Sequence, residues 1–382
     1  MNILFSLDNY DHGTGGAEMS VQALAHQLAA RGHRVQVLQR NDDVASYHDG
    51  PIAVHTRPLP VPRLIRDRDR DTIRWNRHWG PQLRQFLARY PADLVITQNR
   101  LLYSTVEEAR RQGAPAIVFV RAYGVLCPLQ FRTRDALAEC DRRCKRCLPR
   151  LARLKYRLVR RNLDLYEQGL RGASLVAANS DYMRRVLEKF FGLEAEVVYP
   201  PVELASYRTD RPAGREVLFC KPQYVKGLPI FLDVASRMPE RRFLVAGRLR
   251  SRARRRLGRL ANVACLGWVS DMRQAYGRAR VLLGPSIWPE PFGRVFVEAG
   301  ANGIPSVASA RGGIPEAVGD GGILVEDIFE PQRWVDALRR LDDEAVYAAY
   351  SRKARAHAER FRAEASAQRL ADVARDRLGL EL

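Results

Sequence analysis

The chain has 382 residues, 46% of them hydrophobic, with 63 Lys and Arg against 43 Asp and Glu for a net charge of +20. This length is long for one core and predicts two domains of ordinary size. There is no run of 18 apolar residues, and the first residues lack the basic segment and small-residue cleavage site of a leader, so the reading is a cytoplasmic protein without a membrane span.

Ile3 to Leu7 reads as a buried strand, and Asp8 to Gly16 as a loop. A helix from Ala17 to about Ala30 would turn Val21, Leu24, Ala25 and Leu28 inward, Gly32 would stop it, and Val35 to Leu38 would form the next strand. Gly13-Thr-Gly-Gly16 would let a phosphate approach the backbone closely before a helix N-terminus. A dinucleotide fingerprint fails here, because Glu18 occupies the place of the third glycine and the second strand ends in Gln39-Arg40 rather than an acidic residue.

From Pro51 to Arg161 there are 25 Lys or Arg against 9 Asp or Glu, so this third of the chain carries most of the positive excess. Nucleic acid, an anionic membrane face, and a phosphorylated or lipid-linked acceptor are the partners such charge fits. Trp75 and Trp79 alternate with Arg at helical spacing, which predicts an interfacial helix, with packing of the indoles onto the domain as the alternative. Asp67-Arg-Asp69 reads as surface charge rather than a metal motif. Asp93 to Thr97 and Ala116 to Val120 read as further parallel strands. Cys127, Cys140, Cys144 and Cys147 are spaced C-x12-C-x3-C-x2-C. In a cytosolic chain this spacing suggests a structural zinc more than disulfides, with ordinary reduced thiols as the alternative. Cys220 and Cys265 lie in apolar runs and are expected in the core.

Arg150 to Arg171 has the pattern of a basic amphipathic helix, and Ser174 to Ser180 reads as a strand with Ser180 capping the helix that follows. Val197 to Val202 would close a first domain over 1–203, and 206–215 reads as linker to a second over 216–360. The second opens with a strand from Val217, a loop holding Lys221 and Lys226, and a helix. Further strands are expected at 243–246 and 262–267, then a helix through Tyr276 and a buried strand from Val281 to Leu283. After a loop rich in proline, a helix is expected over 292–301, with Pro291 in its first turn. The N–H groups of Phe292, Gly293 and Arg294 would then be unpaired donors at the positive end of the helix, where phosphate binds. At ~1.5 Å rise per residue, Glu290 and Glu298 would stand on the order of 9 Å apart along that axis, within reach of one ligand. A long helical region from about Glu344 to Leu378 ends the chain, and its last part, about 362–382, is expected to pack back on the first domain.

Glu290-Pro-Phe-Gly-Arg-Val-Phe-Val-Glu298, with the downstream Gly312-Gly-Ile-Pro-Glu316, resembles the E-x7-E element of retaining glycosyltransferases of the GT-B fold, family four. Gly15-Gly-Ala-Glu18 is similar to that family's G-G-x-E loop, and Lys221 and Lys226 to its G-R-x4-K-G element, with Lys in place of Arg at 221. The resemblance implies two Rossmann-like α/β domains facing each other across a cleft, with acceptor bound by the first and nucleotide sugar by the second. It implies that Glu290 contacts the transferred sugar and Glu298 the ribose. It further implies that Gly15 and Gly16 touch the diphosphate and that Lys221 and Lys226 neutralise it without a metal. Val269, in the Gly-Trp-Val-Ser-Asp turn, would lie against the base, and Phe292, Gly293 and Arg294 would line the donor site. Arg121 stands where relatives often carry a His beside the transferred sugar.

The leading expectation is hexose transfer from a nucleotide diphosphate sugar to an anionic, saccharide or lipid-linked acceptor, as in cell-envelope polysaccharide or glycolipid synthesis, with peripheral contact at the inner face of the plasma membrane. The alternative is a nucleotide- or polyanion-binding protein of the same fold without transferase activity, for which Arg121 is the warrant. A nucleic-acid binder rests on charge alone, since the chain carries no recognised motif for it.

Overall fold

The computed structural model describes residues 1–10, 15–59, 68–127, 140, 147–148, 150–209 and 214–382, with the side chains of 68–70 and 151–152 outside that description. Asp67, half of the Asp67-Arg-Asp69 run, is thus outside the described residues, as are Gly13 and Cys144. The chain divides into two units, one of Met1–Pro201 with Glu364–Leu382, the other of Val202–Ala363.

In the first unit the strands are β1 (Asn2–Leu7), β2 (Arg34–Asn41), β3 (Ser46–Asp49), β4 (Ile52–Pro58), β5 (Leu94–Gln98), β6 (Ala116–Val120), β7 (Leu175–Ala178) and β8 (Glu196–Val197). Their order in the sheet is β3-β4-β2-β1-β5-β6-β7-β8, parallel throughout except where β3 pairs antiparallel with β4. Strands covered on both faces need apolar residues at nearly every position, and β1, β5 and β6 are continuous buried runs of that kind. Ile3, Phe5, Leu24, Ile96 and Phe119 share a core with Ala367, Leu370 and Val373, which the helix Ala363–Leu378 supplies.

Two expectations for this unit are corrected. Trp75 and Trp79 are 7% and 0% exposed, and the Trp79 indole N–H donates to Ser6 Oγ at 2.9 Å, so the helix Arg68–Arg89 turns both indoles into the protein. The Arg–Trp alternation separates an inner from an outer face and offers no aromatic pair to a bilayer. The single basic helix expected over 150–171 is two, Arg150–Arg153 and Tyr156–Gly172.

The second unit has β9 (Glu216–Cys220), β10 (Phe243–Ala246), β11 (Val263–Gly267), β12 (Ala279–Gly284), β13 (Ser306–Ser309) and β14 (Gly322–Val325), in the order β11-β10-β9-β12-β13-β14 and parallel. Phe219, Phe231 and Phe243 stack and cross in its core beside Leu283 and the fully buried Trp334. Because β11 is the edge strand, Cys265 is exposed rather than in the core. The expected long C-terminal helix is also interrupted. Glu344–Ala358 is followed by a tight turn at Glu359–Phe361 before the last helix begins at Ala363. Phe361 is buried there between the rings of Phe292 and His357, each 5.2 Å away, and the Val202 N–H donates to its carbonyl at 2.9 Å. Among the described residues no helix is long and apolar enough to cross a membrane.

Candidate functional site

The loops after β9 and β12 meet in the second unit because glycines let them touch. Lys221, just past β9, has φ +55°, a region that non-glycine residues sparsely populate, and its N–H donates to Ala246 O at 2.8 Å. A tight turn at Tyr224–Lys226 then ends at Gly227, with φ +89°. A Cβ at Gly227 would sit 1.7 Å from Pro285 O, so only glycine permits this approach of the two backbones. The N–H groups of Ile287 and Trp288 both donate to Val225 O at 3.0 Å, which fixes the second loop against the first.

That junction places Lys226 Nζ 2.7 Å from Glu290 Oε2 and 5.1 Å from the centre of the Trp288 ring. The two charged side chains are 20% and 12% exposed, so the pair still borders solvent. Glu290 is positioned from behind as well. Its carbonyl accepts from Gly313 N–H at 2.7 Å, and a Cβ at Gly312 (φ +64°) would fall 2.3 Å from that same oxygen. The paired glycines of Gly312-Gly-Ile-Pro are thus what lets the chain lie against the Glu290 loop.

The helix of the Glu290–Glu298 segment runs Arg294–Gly300, two residues later than expected. Gly293, at φ +111°, is its N-cap, so Phe292 and Gly293 lie before the helix and do not form its first turn. Glu298 is buried at 7% exposure. Its Oε2 accepts from the Tyr276 hydroxyl at 2.7 Å, and its Oε1 lies 3.4 Å from Arg294 Nε, while Arg294 also reaches the Tyr207 hydroxyl at 3.3 Å. Burial first and the Glu298 charge second push Tyr207 up to about 12, raise Tyr276 well above its ordinary value, and push the Cys220 thiol up to about 12. Tyr207 and Tyr276 were not legible as site residues, because no local pattern ties a tyrosine to a carboxylate so distant along the chain.

The structure therefore brings Lys226 to Glu290 and Arg294 to Glu298, with Lys221 at the mouth of β9 and Val269 half-buried beside the exposed Trp268. Arg121, Gly15 and Gly16 belong to the first unit. Gly15 is an extended N-cap to the helix Gly16–Ala30, and a Cβ on it would meet Glu18 Oε2 at 2.6 Å. Arg121 is 7% exposed, its Nε donates to Gln98 Oε1 at 3.0 Å, and its guanidinium lies 4.4 Å from the Phe119 ring centre. Cys127 and Cys140 are half-buried and Cys147 is exposed; with Cys144 outside the described residues, the four-thiol set is not described as a whole.

Residues 15–202 match the family described as "Glycosyl transferase 4-like domain", and residues 215–343 the family described as "Glycosyl transferases group 1". The D-inositol 3-phosphate glycosyltransferase of Corynebacterium kroppenstedtii is 41% identical over 109 residues, 28% of this chain. That alignment spans only 24% of the relative's own length. The fold is similar to that of sucrose-phosphate synthase from Thermosynechococcus elongatus, with a TM-score of 0.76 at 18% identity over 98% of this chain and 99% of that one. HepE of Anabaena in complex with UDP superposes with a TM-score of 0.72 at 21% identity, covering 98% of this chain and 100% of that one.

Proposed function

The chain belongs to the glycosyltransferases of the GT-B fold, and from that premise we propose that it transfers a hexose from a nucleotide diphosphate sugar to an anionic acceptor, with retention at the anomeric carbon and without a metal. The observation that carries the reading is the Lys226–Glu290 pair, a cation and a carboxylate delivered by two different loops to the carboxyl ends of β9 and β12. Ligands of open parallel sheets bind at that end.

In this reading Lys226 and Lys221 stabilise the negative charge that grows on the departing diphosphate, the task a metal performs elsewhere. Glu290, released from Lys226 by the arriving phosphates, accepts from hydroxyls of the transferred sugar. Glu298 accepts from the ribose while keeping Tyr276 and Arg294 as its supports. The backbone before Arg294 approaches the diphosphate, and Val269 the base; for Gly15 and Gly16, at the N-terminus of the helix Gly16–Ala30 of the first unit, a phosphate is likewise the proposed ligand. Arg121 supplies positive charge in place of the usual histidine. UDP sugars are the first donors to test, since HepE carries UDP. The test is release of free UDP from UDP-glucose that depends on added acceptor and persists in EDTA, with the anomer of the product read by NMR. Donor binding without any turnover over an acceptor panel would favour the reading of a nucleotide-binding protein that has lost transfer.

The acceptor's negative charge is proposed from the basic stretch 51–161, and its presentation at a membrane face now rests on that charge alone, since Trp75 and Trp79 are interior. Sedimentation with anionic and zwitterionic vesicles at low and high salt decides it. For the cysteines we propose a structural zinc, checked by elemental analysis: about one zinc per chain, lost when Cys144 and Cys147 are both replaced by serine.

A further inference from the structure

The sheet of the second unit ends on one side at β11, which pairs with β10 alone. Ala264 and Cys265 in this strand are both exposed. Successive residues of a strand point to opposite faces, so β11 is open to solvent on both faces as well as along its edge. β14, at the other edge, is half-buried or buried throughout. An edge strand presents a row of backbone N–H and C=O groups with which another chain can pair, and proteins guard such edges, often with charged residues in the strand. In the first unit the edge strand β3 ends in His48 and Asp49. β11 reads Val-Ala-Cys-Leu-Gly and carries no charge.

The charge lies instead in the connection from β10 to β11. From 241 to 270 there are nine arginines and no Asp or Glu, and seven of the nine fall within 248–259, around the helix Ser251–Leu257. Ala253 and Leu257 of that helix are buried in the core, whereas all seven arginines are exposed. Other arginines of the unit are matched by carboxylates, as Arg237 is by Asp233, Arg273 by Asp271 and Arg278 by Glu216. Among the described residues none of the seven forms an ion pair or a side-chain hydrogen bond. Arg248 packs its guanidinium 4.8 Å from the ring centre of Trp268, the residue that follows β11. Arg254 acts on the strand itself: burial of the sulfur raises the Cys265 thiol, and the Arg254 charge opposes the rise. Unmatched arginines thus run beside an open strand. A second copy of the chain would bring the same arginines against these, so like-charge repulsion closes the edge to self-pairing. A lipid surface would match the arginines but leave the strand's backbone groups unpaired, and the helix, with Ala253 and Leu257 turned inward, has no apolar face to insert. An acidic polypeptide in extended conformation satisfies both, its backbone pairing with β11 and its carboxylates with the guanidiniums.

We propose that β11 and the arginines of 248–259 form a docking edge for an acidic segment of a partner protein, which joins the sheet as a further strand. Because the helix Ser251–Leu257 covers one face of the sheet, the carboxylates that meet its arginines recur at every second residue of the incoming strand. The proposal does not depend on the glycosyl-transfer reading, since neither β11 nor this helix supplies a residue named in the donor site.

Fluorescence anisotropy of a labelled peptide of alternating Glu and Val, titrated with the full chain, tests it. The peptide should bind. A second peptide with Pro in place of Val has the same charge but lacks those backbone donors, and should bind about 10-fold more weakly. Arg254→Glu should weaken the first peptide by about 10-fold or more with an unchanged urea midpoint, and Arg254→Lys should keep most of the affinity. Bound peptide should also protect the Cys265 thiol from a maleimide, read by mass spectrometry, while the exposed Cys147 reacts as before. No binding by the Glu-Val peptide, or equal binding of the two peptides, overturns the added strand. An unprotected Cys265, or an affinity indifferent to Arg254→Glu, overturns its place at β11. Tighter binding of phosphatidylglycerol vesicles or of single-stranded DNA, lost in Arg254→Glu, gives the arginines to a lipid or a nucleic acid and overturns the acidic segment.

Discussion

Glu298 and Asp8 are both acidic side chains drawn out of water at the working ends of their units, and the fold treats them oppositely. Glu298 has the Tyr276 hydroxyl and the Arg294 guanidinium built around it, and the cost appears in its neighbours, where Tyr207, Tyr276 and Cys220 are all pushed up. Asp8 leaves Oδ1 unpartnered and is itself pushed up, by burial first, to about 6. A carboxylate whose partners come with the fold is preorganised, and its desolvation is offset during folding. One whose partners are missing carries that cost in the folded state, as its raised pKa shows.

The largest test of this contrast is Glu298→Ala. It takes the acceptor from the buried Tyr276 hydroxyl and the carboxylate from the Arg294 guanidinium, so we expect a loss of about 3 kcal/mol in urea unfolding, together with weaker UDP binding whether or not a sugar is attached. A stability loss with unchanged UDP affinity would confine Glu298 to a structural role. Asp8→Asn should act with the opposite sign. Between pH 3.8 and about 6 the folded chain holds a proton that the unfolded chain has released. The parent's stability should therefore fall as pH rises through that window and level off above it. Above the window the asparagine variant should be more stable by up to about 3 kcal/mol, and its urea midpoints should not follow that slope; equal slopes for the two proteins would show that Asp8 is not buried as a carboxyl. The smallest expected stability effect is that of Lys226→Ala, about 1 kcal/mol for a partly exposed pair. Its signature is selective, with UDP affinity down by about 10-fold for the lost charged contact and uridine affinity unchanged. A parallel loss for uridine would make the lysine a scaffold for the Glu290 loop.

What could be read from the sequence was what is local. The β-α-β openings, the glycines before Ala17, and the Glu290–Glu298 spacing each lie within one short window. What escaped depends on partners far along the chain. Trp75 and Trp79 alternate with Arg in a way that suits a membrane face and a protein interior equally, and the choice is made by contacts such as Ser6, 73 residues from Trp79. Gly293 adopts φ +111° and delays the helix that Pro291 seemed to start. β3 was missed because Ser-Tyr-His-Asp carries few apolar residues and is held by pairing rather than burial, and β4 because its buried positions are Ile52, Val54 and Thr56, an alternation whose last inward residue is polar. The break at 359–362 contains neither glycine nor proline and leaves the helical spacing uninterrupted, so only the Val202–Phe361 hydrogen bond and the burial of Phe361 reveal it.

The helix Ala363–Leu378 packs Ala367, Leu370 and Val373 beside Ile3 and Phe5, so the first unit is assembled from the two extremes of the chain. During translation its opening strands leave the ribosome long before the helix that covers them exists, and the whole of Val202–Ala363 must be made in between. At ~5–20 residues per second that interval is roughly 10–30 s. Throughout it the nascent first unit exposes an apolar face that Ala367, Leu370 and Val373 later cover, so its core is completed only after the second unit has been synthesised.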